Sequence, residues 1–149
     1  MRWIVRRNTG EHMLLHHIGW AVRSISDNRA HFEEQVGLPF DGIEEFPHLS
    51  VAFYDVGGCL LELLEATSPQ EDDVSRFIKR RGEGIHHLAY EVPDVAAALA
   101  EAERRGLALI DRVPRPGARG TMIGFADPAR EDGVFLEFVE LPGGPNAVE

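Results

Sequence analysis

The sequence predicts an α+β fold in which one strand–helix–three-strand module is used twice. Three observations carry that expectation. Residues 16–22, "HHIGWAV", are answered by "HHLAYEV" at 86–92. Residues 58–65, "GCLLELLE", are answered by "GVFLEFVE" at 133–140, with Glu62 and Glu137 at the same place in the two segments. Between these landmarks each half spells the same order of elements, and self-similarity of this kind marks a duplicated unit.

Strand one covers 14–22, an apolar run ending at Arg23. "SISDNRAHFEEQVGL" then reads as a helix, with Ser26 or Asp27 as cap and Gly37 as stop. Alternating apolar residues predict strands near 41–46, 49–56 and 59–65, the last two joined by a tight turn at "VGG". "SPQEDDVSRFIKRRG" is helical, acidic at its start and basic at its end, as the helix dipole favours. The order then restarts with a strand at 85–92 and the Ala-rich helix of "PDVAAALAEAERRGL". Short strands follow near 107–113, 120–126 and 133–140. The expected organisation is an extension at 1–12, one domain at 13–141 built from modules 13–82 and 83–141, and a tail at 142–149.

Composition narrows the function classes. The 149 residues carry a net charge of −10, which argues against a nucleic-acid partner because phosphates demand a basic face. No apolar run reaches the roughly 20 residues of a spanning helix, and residues 1–12 lack the apolar stretch of a signal peptide. Cys59 is the only cysteine, so no disulfide framework exists and a reducing, cytoplasmic setting is expected. Basic residues cluster as "KRR" at 79–81 and as Arg112, Arg115 and Arg119. Such clusters are usually solvated surface; the sharper alternative is a cationic rim for an anionic ligand.

Side chains alternate across a strand, so each face can be sorted. His17, Gly19 and Ala21 share a face, opposite Ile18, Trp20 and Val22. His87, Ala89 and Glu91 share a face, opposite Leu88, Tyr90 and Val92. The bulky faces suit packing against helices. The other faces follow a histidine with a small residue, leaving space that a close-packed core does not leave. Glu62 and Glu137 lie mid-strand among leucines, phenylalanines and valine, where an unpaired carboxylate costs several kcal/mol.

A lone strand histidine is more often structural than a ligand, and a lone glutamate can point into solvent. Four such residues at equivalent places of two copies favour a shared cation instead. Two imidazoles and two carboxylates without thiolate suit a divalent ion such as Co, Zn, Ni, Mn or Fe. His17, Glu62, His87 and Glu137 are the expected ligands. His16 and His86, on the opposite faces, are expected to be structural or rim residues. His12, His31 and His48 have no equivalent placement.

Together "HHIGWAV", "LLELLEATSP", "GEGIHHLAYEVPDV", "RPGARG" and "FADPAREDGVFLEFVE" resemble the methylmalonyl-CoA epimerases of the vicinal oxygen chelate superfamily, which includes glyoxalase I. The resemblance runs over most of 14–140. It implies paired βαβββ modules whose mixed sheet curls around a metal-binding cleft, the glyoxalase fold, with the same four ligands. It also implies a homodimer and an acyl-CoA substrate, with Gly117, Arg119 and Gly120 near that substrate.

The reaction implied is inversion of the α-carbon of methylmalonyl-CoA, or a related 2-alkylmalonyl thioester, through a metal-stabilised enolate. Glu137 and Glu91 are the expected acid–base pair, with Glu44, Glu45 and His86 as further candidates. Two departures stand out: Glu62 falls where some relatives carry glutamine, and Val51 falls where some carry a glutamate. The alternatives are a glyoxalase-type isomerase or lyase, an Fe(II) dioxygenase, or a non-catalytic small-molecule-binding relative.

Overall fold

The computed structural model describes residues 13–127 and 133–143; the expected extension at 1–12 and most of the expected tail lie outside them. The chain divides into two compact units. One is His17–Leu88; the other takes the described residues of 89–127 and 133–143 together with 13–16.

In the His17–Leu88 unit, β1 (Leu14–Ala21) leads to α1 (Ile25–Arg29), which widens into a π-helical turn over Ala30–Gln35. The cap is Ser24, two residues before Ser26 and three before Asp27: its hydroxyl accepts from the Asp27 N–H at 3.2 Å. The wide turn ends where the Val36 N–H reaches the His31 carbonyl and Gly37 turns to φ 84°. Strands β2 (Phe40–Glu45), β3 (Leu49–Asp55) and β4 (Leu60–Ala66) follow. They pair antiparallel in sequence, and β1 returns parallel beside β4.

Ile18 and Trp20 on β1, Ala52 and Tyr54 on β3, and Leu61 and Leu63 on β4 form one core with Ile25 and Phe32. The bulky face of β1 therefore packs against its helix, as the alternation predicts. The fully buried Tyr54 keeps its hydroxyl satisfied by donating to Glu33 at 3.3 Å, a carboxylate that also takes Arg29 at 2.8 Å. The unit continues through α2 (Asp73–Arg81), opened by a reciprocal capping box between Asp72 and Ser75 and stopped at Gly82. Its last turn carries Lys79, Arg80 and Arg81. The first half of β5 (Gly84–Glu91) completes it.

In the other unit, the end of β5 leads to α3 (Val95–Arg104). Asp94 caps α3 by accepting from the Ala97 N–H at 3.0 Å, and Glu140 accepts from the Val95 N–H at 3.2 Å. The expected strand at 107–113 shrinks to β6 (Ala108–Leu109), and an unforeseen strand, β7 (Arg115–Pro116), pairs with β8 (Met122–Asp127). The N–H groups of Ile110 and Asp111 both go to the Phe125 carbonyl at 3.0 Å, so two residues face one there and the ladder stops after Leu109. β9 (Phe135–Glu140) pairs antiparallel with β8.

Val95, Leu99 and Ala102 of α3 pack on Val92, Ala126 and Phe138. Gly124 makes that approach possible, because a Cβ there would lie 2.7 Å from Leu99 Cδ1. On the opposite side of β8 and β9, Ala89, Ile123, Phe125 and Val139 form a small second cluster.

Candidate metal centre

Three strands of the His17–Leu88 unit bring three titratable groups together. β1 and β4 run parallel with Gly19 level with Glu62 and His17 level with Leu60. His17 and Glu62 therefore stand two residues apart along one sheet face, on neighbouring strands. Opposite that face lies the apolar core, so sequence alternation alone directs both side chains away from Trp20, Leu61 and Leu63. His87 comes from β5.

Ligand atoms of His17, Glu62 and His87 all lie within 4.8 Å of one another. All three residues are buried, at 4%, 6% and 3% exposure. His17 Nε2 stands 3.0 Å from His87 Nε2 and 3.4 Å from Glu62 Oε2. Two donors each about 2.1 Å from a common ion, at roughly 90–110° to one another, lie about 3.0–3.4 Å apart. Both separations agree with a shared divalent cation, and a nitrogen and oxygen donor set suits the borderline transition metals.

The small residue after His17 does not leave open space, as its face suggested, but makes room for another side chain. A Cβ built on Gly19 would fall 2.1 Å from Cε1 of His87, 2.4 Å from Nδ1 and 2.5 Å from Nε2. The ring of His87 occupies the space that a side chain at 19 would fill. The two imidazoles meet edge to face, with centroids 5.1 Å apart.

The burial of His86 fits the first of its two expected roles, structural or rim. The residue is buried at 5%, not at a rim, and its Nδ1 stands 2.9 Å from Nδ1 of His87. The two rings meet at 86°, so residues on nominally opposite faces of β5 touch through their near edges. The repeated doublet "HH" was the available signal, but alternation gave no reason to let neighbours meet.

Val51 of β3 is buried at 2% and pairs with Glu44 of β2. Cross-strand partners share a face, and the register places Phe53 level with Glu62. Glu44 is thus on the Glu62 face of the sheet and half-buried, whereas Glu45 takes the opposite face. Just ahead of β4, burial pushes the Cys59 thiol up, and the Glu62 charge adds to the rise.

Of the remaining expected site residues, Glu137 sits in the other unit on β9, buried at 4% and level with Phe125 of β8. Glu91 ends β5 half-buried. Gly117, Arg119 and Gly120 form a tight turn between β7 and β8, closed by the Gly117 N–H on the Thr121 carbonyl at 2.9 Å. Arg119 is the one described residue other than glycine with left-handed backbone, at φ 55°.

Comparison with known proteins agrees with this architecture. Residues 16–125 match the Glyoxalase/Bleomycin resistance protein/Dioxygenase superfamily. The chain belongs to that superfamily. It is 37% identical over 132 residues to the uncharacterized protein YqjC of Bacillus subtilis, spanning 87% of this chain and 93% of that one. Among solved structures, a hypothetical protein from Bacillus halodurans superposes with a TM-score of 0.83 at 36% identity, over 89% of this chain and 96% of the other. A variant of Streptomyces coelicolor methylmalonyl-CoA epimerase in complex with 2-nitronate-propionyl-CoA superposes with a TM-score of 0.78 at 27% identity, over 88% and 96%. The fold expected from the duplicated module is therefore the glyoxalase fold of the superfamily. Among the described residues, no helix is long and apolar enough to cross a membrane.

Proposed function

We propose that the protein is a metal-dependent epimerase that inverts the α-carbon of methylmalonyl-CoA or a related 2-alkylmalonyl thioester. One observation carries the reading: two imidazoles and a carboxylate buried at ligand spacing, in a chain similar over 88% of its length to a methylmalonyl-CoA epimerase. His17, Glu62 and His87 would hold the cation. Glu137 would be the fourth ligand, on the strength of its equivalence to Glu62 in the second copy, and its carboxylate would complete the neutralisation of a divalent charge.

The bound cation supplies Lewis acidity for the oxygen on which charge collects as the α-proton leaves. The protein's own groups then handle the proton. Glu137 takes it on one face and Glu91 returns one on the other, each step contributing about 10²–10⁴-fold. Glu44 competes with Glu91 for the second role, because it stands across from Val51 on the Glu62 face. Gly117, Arg119 and Gly120 would lie near the substrate, with Arg119 toward the nucleotide phosphates. The proposal includes a cytoplasmic homodimer.

The test is incubation of cobalt- or zinc-loaded protein with (2R)- or (2S)-methylmalonyl-CoA in D₂O. Deuterium should enter the α-carbon faster than in the protein-free control, and the two epimers should interconvert. Absence of both removes the epimerase reading.

A second reading has its own observation. Two histidines and one carboxylate form the facial set that holds Fe(II) for oxygen chemistry. Oxygen consumption by the Fe(II)-loaded protein, without α-proton exchange, would favour it.

A further inference from the structure

His87 is held from both ends of its ring. Its Nε2 faces Nε2 of His17 at 3.0 Å, and its Nδ1 faces Nδ1 of His86 at 2.9 Å. Below the ring lies the bare Cα of Gly19. His86 is itself braced: Phe77 of α2 meets it edge to face at 5.1 Å, and the Arg81 guanidinium lies 5.7 Å over that phenyl ring. Phe77 is buried, so the brace is part of the core rather than a surface contact.

A neutral imidazole carries one proton on one of its two nitrogens, and the hydrogen bond made by one nitrogen decides what the other can do. For Nε2 of His87 to offer its lone pair beside His17 and Glu62, the proton must sit on Nδ1. The atom facing it at 2.9 Å must then accept, which places the proton of His86 on its own Nε2. We infer that His86 is a positioning residue for the metal centre. Its Nδ1 accepts the N–H of His87, fixing both the tautomer and the ring angle of that ligand.

The inference rests on the metal-binding part of the proposed function and not on the substrate. Partners of this kind are worth about 10–100-fold in metal affinity. They act through the ligand, so they leave the donor set unchanged.

The experiment titrates Zn(II) and Co(II) into the wild-type protein, His86→Phe and His86→Asn by calorimetry. It also records the Co(II) visible spectrum of each protein and the long-range ¹H–¹⁵N imidazole spectrum of the zinc-loaded wild type. His86→Phe keeps the ring shape but has no acceptor. It should lose about 10–100-fold in affinity and shift the Co(II) bands. His86→Asn, whose side-chain oxygen can replace Nδ1 as acceptor, should recover most of both. In the wild type, Nδ1 of His86 should appear as the unprotonated nitrogen and Nε2 as the protonated one.

A His86→Phe protein with wild-type affinity and spectrum would overturn the inference while leaving the metal centre standing. So would a proton on Nδ1 of His86. A wild-type protein that binds neither ion would overturn the metal reading itself. A change in melting temperature alone, with affinity and spectrum unmoved, would mark His86 as structural and likewise end the inference.

Discussion

The imidazole of His87 lies where the side chain of residue 19 would be, so Gly19 and His87 form one packing unit across two strands. A Cβ at 19 would come within 2.1 Å of the ring, closer than any relaxation of the methyl itself can relieve. Gly19→Ala must therefore push His87 out of line with His17 and Glu62. Overpacking of this kind costs about 1–3 kcal/mol of stability. Zinc affinity should fall at least as far as for loss of an outer partner, about 10-fold or more. Calorimetry and a thermal melt read both; an unchanged zinc affinity would place the metal elsewhere.

Glu62 separates stability from binding. In the metal-free protein a carboxylate buried at 6% exposure is an expensive group to keep. Glu62→Leu removes that buried carboxylate and leaves imidazoles that can stay neutral, so metal-free stability should not fall below the wild type's. The same change should abolish the stabilisation that metal gives the wild type, about 2.7 kcal/mol at a hundred-fold excess over Kd. Melts with chelator and with added zinc give the four values needed. A variant less stable than wild type in chelator would show that Glu62 serves the fold, not an ion.

Cys59 reports on the same carboxylate. Burial, and then the Glu62 charge, hold its thiol above the ordinary range. Because only the thiolate is nucleophilic, alkylation by iodoacetamide near pH 8 should run slower than for a small free thiol. Its rate should climb at higher pH than the free thiol's. Glu62→Gln removes the smaller of the two causes, so its rate should rise while remaining below the free thiol's. Alkylation as fast as the free thiol's in the wild type would contradict the burial.

The parts of this molecule that were legible in the sequence are those fixed by periodicity. Alternation of two sorted His17 from Trp20 and Glu62 from Leu61 and Leu63, because one face of each strand is core and a single-residue slip would invert it. The "HHIGWAV" and "HHLAYEV" pair gave the two histidines by the same reasoning. What periodicity cannot carry is contact between sequence neighbours. His86 and His87 were assigned to opposite faces, yet their Nδ1 atoms meet at 2.9 Å, because imidazoles are long enough to turn toward each other from adjacent positions. Nor does it foresee a wide turn such as Ala30–Gln35, where helical spacing continues but one extra residue enters each loop of chain. The short β6 follows from the shared bond of the Ile110 and Asp111 N–H groups to one Phe125 carbonyl, a bulge that alternation does not announce.

Arg119 tests the substrate part of the proposal without touching the metal ligands. Its φ of 55° and ψ of 36° lie in the left-handed region, which costs an ordinary residue about 1–2 kcal/mol. Asparagine enters that region readily. Arg119→Asn should therefore keep the turn from Gly117 to Thr121 and leave the melting temperature equal to the wild type's or higher. It removes one cation, so if the turn meets the nucleotide phosphates, binding of a CoA thioester should weaken and depend less steeply on salt. Calorimetric titration with an acyl-CoA at two ionic strengths measures this. Undiminished affinity with raised stability would assign the strained backbone at Arg119 to the turn alone and take the 117–120 segment out of the proposed substrate contacts.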